Sequence, residues 1–264
     1  VGIEAAGCAV FTPVILLDMA VKSLDPAVRL LPVANRRMVG GPVHPMIQEA
    51  CPAGMSAHKH SSWSYAEALA DEDEVLGRAR ERGHELGVTP VSAATGALLG
   101  VVAAMNGART VVEIGSGVGV SGVCLLRGMN PRGILTTVEQ DIEHLDAARR
   151  AYQEAGFPTH RTRTINGRSQ DVLPRLADAA YDLVFVDGAR SRVTSDVIEA
   201  VRLLRPGGAL IVNDALDDDL VPQPAVRRPS TLAARQAQRW LRDEDGIDWV
   251  MLPTGSGVLL AVRR

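Results

Sequence analysis

The run Val111-Val112-Glu113-Ile114-Gly115-Ser116-Gly117-Val118-Gly119-Val120-Ser121 decides how this chain folds. An apolar stretch carrying one acid breaks into three glycines at alternate positions, and a helix-compatible run, Val120 to Met129, follows. This is the pattern of a buried strand that turns through a tight loop into a helix. Glycines at such a turn let a ligand approach bare backbone, and the helix N-terminus behind them offers unpaired N–H groups.

Downstream of that stretch, apolar segments of strand and helix type alternate. Strands are expected at Thr110 to Ile114, Ile134 to Glu139, Arg161 to Ile165, Leu183 to Asp187 and Ala209 to Val212. Between them lie helical patterns: one with Ile142, Leu145, Ala148 and Tyr152 on a single face, a short one from Gln170 to Ala177, and one through Val197, Ile198, Val201 and Leu204. Arg205-Pro206-Gly207-Gly208 should stop the last of these. A polar loop, Asp217 to Pro229, leads to a helix from Thr231 to Arg242. Two final strands, Trp249 to Leu252 and Gly257 to Val262, flank a turn short enough for a hairpin. The expected architecture is a doubly wound α/β sheet, mostly parallel, with an antiparallel C-terminal strand.

Upstream, Ser64 to Leu86 reads as one or two surface helices. Thr89-Pro90 opens a further, almost wholly apolar helix, Ala93 to Met105, expected to be buried against the sheet. Residues 1–54 differ in character: scattered prolines, no sustained periodicity, and one short helix near Ile15 to Leu24. They are read as an N-terminal extension outside the functional fold, with Met55 as an alternative start and residues 55–264 as the functional domain. An arm that packs on a partner subunit is the competing reading.

Composition narrows the function classes. The 264 residues are 46% hydrophobic and 22% charged, as in an ordinary globular protein. Aromatics at 3% and a net charge of −3 argue against a nucleic-acid partner, which needs stacking platforms or a basic surface. Cys8, Cys51 and Cys124 form no CxxC pair, so they read as small buried hydrophobes in a reducing cytoplasm. No apolar run reaches the length of a membrane span. Cys8 to Ala20 is interrupted by Pro13 and Asp18 and has no basic residue before it, unlike a signal peptide. A cytoplasmic location is expected.

The glycine spacing refines the ligand. A dinucleotide fingerprint places its third glycine at the sixth position, which here is Val120; the run is instead G-x-G-x-G, with Glu113 two residues before the first glycine. Glu139 ends the second strand, where a carboxylate can accept ribose hydroxyls. After the third strand comes Asn166-Gly167-Arg168-Ser169-Gln170-Asp171-Val172-Leu173-Pro174, in which Ser169 and Asp171 also suit a helix N-terminus.

The glycine run resembles the first motif of class I S-adenosylmethionine-dependent methyltransferases, whose sheets are Rossmann-like. The Gly-x-Ser-Gln-Asp stretch resembles the adenine-binding segment of the catechol O-methyltransferase-like, cation-dependent O-methyltransferase family. The resemblance covers about residues 64–262. It implies S-adenosylmethionine as cofactor, held by Glu113, Gly115, Ser116, Gly117, Gly119, Ser121, Glu139, Gly167, Ser169, Gln170 and Asp187. Ser169 and Gln170 would meet the adenine edge, and Ser121 the methionine end.

That family also implies a divalent cation, Mg²⁺ or similar, on oxygen ligands at strand ends. Asp187 ends the fourth strand and Asn213-Asp214 ends the fifth, so these three are the expected metal ligands, although the family order at the fifth strand is Asp-Asn. The family often has a Lys three residues after the fourth-strand Asp as a general base; here that residue is Arg190, which stays protonated and cannot accept a proton. Arg190 is expected to steer an anionic acceptor or to pair with Asp187, and these two are the catalytic candidates. Asp217-Asp218-Asp219 reads as a solvated loop. The expected activity is methyl transfer to a hydroxyl of a small phenolic or catechol-like acceptor by an enzyme whose bacterial relatives suggest a homodimer. A metal-independent methyltransferase and a cofactor-binding protein that has lost catalysis remain open alternatives.

Overall fold

The computed structural model describes residues 53–264; the helix expected near Ile15 to Leu24 lies outside them, as does most of the N-terminal extension. Helices α1 (Ala53–Ala68), α2 (Glu74–Leu86) and α3 (Ala93–Met105) precede the sheet. The alternating part runs β1 (Thr110–Ile114), α4 (Val120–Gly128), β2 (Ile134–Glu139), α5 (Ile142–Glu154), β3 (Thr162–Asn166), α6 (Ser169–Val172) and β4 (Tyr181–Val186). It continues through α7 (Val193–Leu203), β5 (Leu204–Val212), α8 (Pro229–Asp243), β6 (Ile247–Leu252) and β7 (Val258–Arg263).

The seven strands stand in the order β3-β2-β1-β4-β5-β7-β6. β1 pairs in parallel with both β2 and β4, whereas β7 runs antiparallel to β5 and β6. The chain winds outward from β1 to β3 and then returns to the other side of β1. The β1/β4 boundary is therefore a topological switch point, where ligands of open α/β sheets bind at the carboxyl ends of the strands.

Period-two alternation sends Val111 of β1 to one face of the sheet and Val112 and Ile114 to the other. On the first face, Val111, Leu135, Leu183, Phe185 and Ile211 pack with Leu99 of α3, Leu125 of α4, and Ala148 and Tyr152 of α5. On the second, Val112, Ile114, Val184, Val186 and Leu210 pack with Val197 and Val201 of α7 and Ala237 and Leu241 of α8. Asp182 locks the base of the sheet: its Oδ2 accepts the Arg109 and Thr110 amides at 2.6 and 2.8 Å, and Oδ1 accepts Arg205 Nε at 2.5 Å.

Three expectations change in detail. Arg205 to Gly208 does not separate helix from strand. β5 already begins at Leu204, paired with Tyr181, and the pairing then jumps to Leu183 with Ala209, so these four residues bulge opposite Asp182. The expected helix from Gln170 to Ala177 is one turn, α6, followed by a 3-10 turn at Leu173–Arg175, where Pro174 ends regular helix. α3 is only half buried: Thr95, Gly96, Leu99 and Ala103 face inward, while Val101 and Met105 are exposed.

Candidate active site

The glycine loop after β1 forms one wall of a cleft of about 380 Å³ at the carboxyl ends of the strands. Gly115 takes φ +89°, and a Cβ there would lie 2.3 Å from the Asp187 carbonyl oxygen, so the β1 and β4 loops meet only because residue 115 is glycine. Gly119 takes φ +91°, and its Cβ would lie 2.8 Å from Ala148 Cα, so it sets α4 against α5. Gly115, Ser116, Gly117 and Ser121 line the cleft; Gly119 does not. The Ser116 hydroxyl is buried in this wall and has no hydrogen-bond partner. A buried polar group left in that state invites a ligand.

The opposite wall comes from the β2 and β3 loops. Glu139 is 8% exposed, and its Oε2 accepts the Gly117 amide at 3.0 Å while Oε1 accepts the Asp141 amide at 3.1 Å. It thus ties the glycine loop to the start of α5 while presenting its carboxylate to the cleft. The Glu139 carbonyl accepts the Gly167 amide and Asn166 Nδ2, which brings Gly167 and Ser169 to the same wall. Ser169 faces buried Asp196 of α7 rather than capping α6. Gln170 does not line the cleft.

Glu113 lies beneath the loop and also does not line the cleft. It is completely buried, and Ser121 Oγ donates to its Oε1 at 2.6 Å, with Thr137 Oγ1 and Tyr152 Oη donating to Oε2 at 2.7 and 3.2 Å. Burial pushes its pKa up to about 7; the three hydroxyls oppose this, and the charge of Glu139 adds to it.

Asp187, Asn213 and Asp214 meet at the ends of β4 and β5, where Asn213 Nδ2 donates to Asp187 Oδ1 at 2.9 Å. The Asp187 pKa is raised to about 8, chiefly by withdrawal from water and then by the charges of Asp214 and Glu113, against the opposing effects of Asn213 and Arg190. Arg190 is not paired with Asp187. Its guanidinium reaches Asp214 at 2.7 Å, Asp218 at 2.5 Å and Asp217 at 3.6 Å.

The expected solvated loop is partly an anchor for that guanidinium. Asp217 is 3% exposed and accepts the Ser230 and Thr231 hydroxyls at the start of α8, and Asp218 accepts Ser256 Oγ. Asp214, Asp217, Asp218 and Asp219 all take positive φ, a conformation Asp tolerates better than most residues.

The donor types at this edge, two carboxylates and one amide, suit a hard divalent cation, and one guanidinium leaves negative charge in excess, although the amide turns its NH₂ to Asp187. Among the described residues no cluster of three or more His, Cys, Asp or Glu is arranged to hold a metal, so a cation would depend on Asp187 and Asp214 with Asn213.

Several cleft residues carry no sequence motif. Val88, Thr89, Pro90 and Val91 close it from the segment before α3, and Gln140, His144 and Arg192 complete its rim. For His144 a signal existed: it lies three residues after Asp141, which caps α5 and aims the first turn at the cleft. Asp196 was also legible, since Asp196, Val197, Ala200 and Val201 follow the buried spacing of α7.

The sheet order, the glycine loop at the switch point and the acid ending β2 define a class I S-adenosylmethionine-dependent methyltransferase. The chain belongs to the O-methyltransferase family, whose model matches residues 66–264. It is 45% identical over 200 residues to a Mycobacterium ulcerans protein named as an O-methyltransferase, covering 76% of this chain and 89% of that one. Among solved structures it is similar to the O-methyltransferase TomG of Streptomyces achromogenes, determined in complex with S-adenosylmethionine. That match has a TM-score of 0.70 and 29% identity, covering 77% of this chain and 96% of the other. A Corynebacterium glutamicum structure matches with a TM-score of 0.72 and 32% identity over 78% of this chain and 97% of that one. Among the described residues no helix is long and apolar enough to cross a membrane.

Proposed function

We propose that this O-methyltransferase transfers the methyl group of S-adenosylmethionine to a hydroxyl of a small phenolic or catechol-like molecule, assisted by a divalent cation. The observation that carries the reading is the meeting of Asp187, Asn213 and Asp214 at the edge of the cleft that the glycine loop, Glu139 and Ser169 line.

In this reading the glycine loop and the N-terminus of α4 receive the methionine end of the cofactor, Glu139 the ribose hydroxyls and Ser169 the adenine edge. The acceptor oxygen attacks the methyl carbon in line with sulfur. One O–C bond forms, the S–C pair stays on sulfur as a neutral thioether, and the acceptor proton leaves to water. The enzyme's main contribution is the juxtaposition of donor and acceptor. Phenols ionise near pH 10, and a cation, which Asp187, Asn213 and Asp214 would hold, would supply the positive charge that lowers this value. Arg190 orders the acidic loop and keeps its positive charge at the acceptor side.

A second, metal-independent reading is favoured by two observations: Arg190 already occupies Asp214, and Asn213 turns its NH₂ rather than its oxygen to Asp187. Methyl transfer to a panel of catechols and simple phenols, with and without chelator and added Mg²⁺, separates the two. Chelator-sensitive turnover restored by Mg²⁺ supports the first reading, and indifference to chelator supports the second. No methylation of any panel member would remove the phenolic acceptor.

We also propose a homodimer, supported by the apolar face that α3 leaves exposed around Val101 and Met105, which are 55% and 83% accessible.

A further inference from the structure

Tyr152 belongs by its helix to the core, not to the cleft. It lies on α5 with 1% of its surface exposed, among Ala148, Ala151 and Leu145. Its hydroxyl nonetheless donates to Glu113 Oε2 at 3.2 Å, and the Thr137 hydroxyl also lies within hydrogen-bonding reach of it. Glu113 Oε1 in turn accepts a hydrogen bond from Ser121 Oγ at 2.6 Å, and Ser121 is the only member of this group that lines the cleft. A continuous line of hydrogen bonds therefore runs from α5, through β1, to the second residue of α4 at the cofactor wall.

Two features show that this line is built rather than incidental. Glu113 sits in a central strand between buried Val112 and Ile114, a position where an apolar side chain would avoid the cost of burying a carboxyl. The α4 residue facing Tyr152 is Gly122, where a Cβ would stand 2.4 Å from the tyrosine oxygen. Any larger residue there would push the phenol away from Glu113. Thr137 of β2 supplies the remaining donor at 2.7 Å and so holds the carboxyl from the other side.

We infer that Tyr152 is a positioning residue for cofactor binding: through Glu113 it fixes the direction of the Ser121 hydroxyl at the methionine end of S-adenosylmethionine. The inference rests on the reading of Ser121 as a cofactor contact. Without the phenol, Glu113 retains its other two hydroxyls but loses one restraint on its rotamer. Ser121 then gains orientations in which its oxygen no longer meets the ligand.

The test is calorimetric titration of the full chain with S-adenosylhomocysteine, at a temperature well below the melting point of every variant. Tyr152→Phe and Ser121→Ala should each weaken binding about tenfold, the scale of one oriented hydrogen bond. Because both act on one contact, the double variant should be no more than about twofold weaker than either single one. Leu145→Ala, on the same helix and fully buried, serves as the control for lost packing and should leave affinity within about twofold. Gly122→Ala should reproduce the Tyr152→Phe loss.

Wild-type affinity in Tyr152→Phe with weakened Ser121→Ala overturns the inference alone. Unchanged affinity in Ser121→Ala overturns both the inference and the reading of Ser121 on which it rests. Losses that simply add, or a Leu145→Ala loss as large as that of Tyr152→Phe, reduce Tyr152 to a packing residue.

Discussion

Replacing Glu113 with Gln should remove a pH dependence of stability that the wild-type chain carries in its core. Glu113 is wholly buried, and burial lifts its pKa from 4.5 to about 7. A pKa that is higher in the folded state contributes stability that is complete below the unfolded value and is lost as pH rises through the folded one. The relevant window is therefore pH 4.5 to 7. At about 1.4 kcal/mol per pH unit, the wild-type chain should lose about 3 kcal/mol across it from this group. Gln stays neutral throughout and loses nothing there, although it forfeits the charge-assisted bonds from Ser121, Thr137 and Tyr152. Thermal unfolding of both proteins at several pH values between 4.5 and 7.5 gives the difference directly, and other titrating groups cancel in it. For a domain of this size the gap in Tm should shift by about 6–12 °C in favour of Gln as pH rises. A gap that stays constant across the window would show that Glu113 does not titrate there and would refute the reasoning.

Three further outcomes follow from the same structure. Gly115→Ala should cost about 1–3 kcal/mol or more and abolish detectable binding of S-adenosylhomocysteine, because its methyl group would meet the Asp187 carbonyl; denaturation and calorimetry read the two effects. Asp182→Asn should cost about 1.5–3 kcal/mol at neutral pH. Burial pushes the Asp182 pKa up, but Arg205 and the Thr110 and Arg109 amides outweigh it and hold it below 3.8. Its stability is thus present above pH 3.8 and lost as pH falls through the folded value, so the cost of the variant in urea titrations should shrink toward acid. Light scattering after size exclusion should give the mass of a dimer for the wild-type chain and a monomer for Met105→Asp, with a wild-type monomer excluding α3 as the interface.

The framework of the fold was legible because its signals are local. Val111 to Gly119 carries strand, turn and helix start in consecutive residues, and β2, β4 and β7 announce themselves as short apolar runs. The acidic loop was not legible in the same way. Asp217-Asp218-Asp219 looks like a solvated patch in sequence, and Asp218 and Asp219 are exposed, but the distant Ser230 and Thr231 bury Asp217, and Arg190 pairs with Asp217 and Asp218. Tyr152 was recognisable as a core position, but its partner lies 39 residues away on β1, beyond any periodicity. The residue lists on the cofactor side were similarly coarse. Gly119 and Glu113 belong to the motif because they pack and support the loop, whereas Ser116, Glu139 and Ser169 reach the cleft itself. Motif membership does not distinguish a residue that touches the ligand from one that holds the wall in place.

The most direct measurement is calorimetric titration of the wild-type chain with S-adenosylhomocysteine, repeated with Glu139→Ala. One saturable site per chain is expected, weakened by about tenfold or more in the variant, since Glu139 both faces the cleft and ties down Gly117. A wild-type chain that gives no binding heat and no rise in Tm with the ligand would contradict the assignment of this cleft to S-adenosylmethionine.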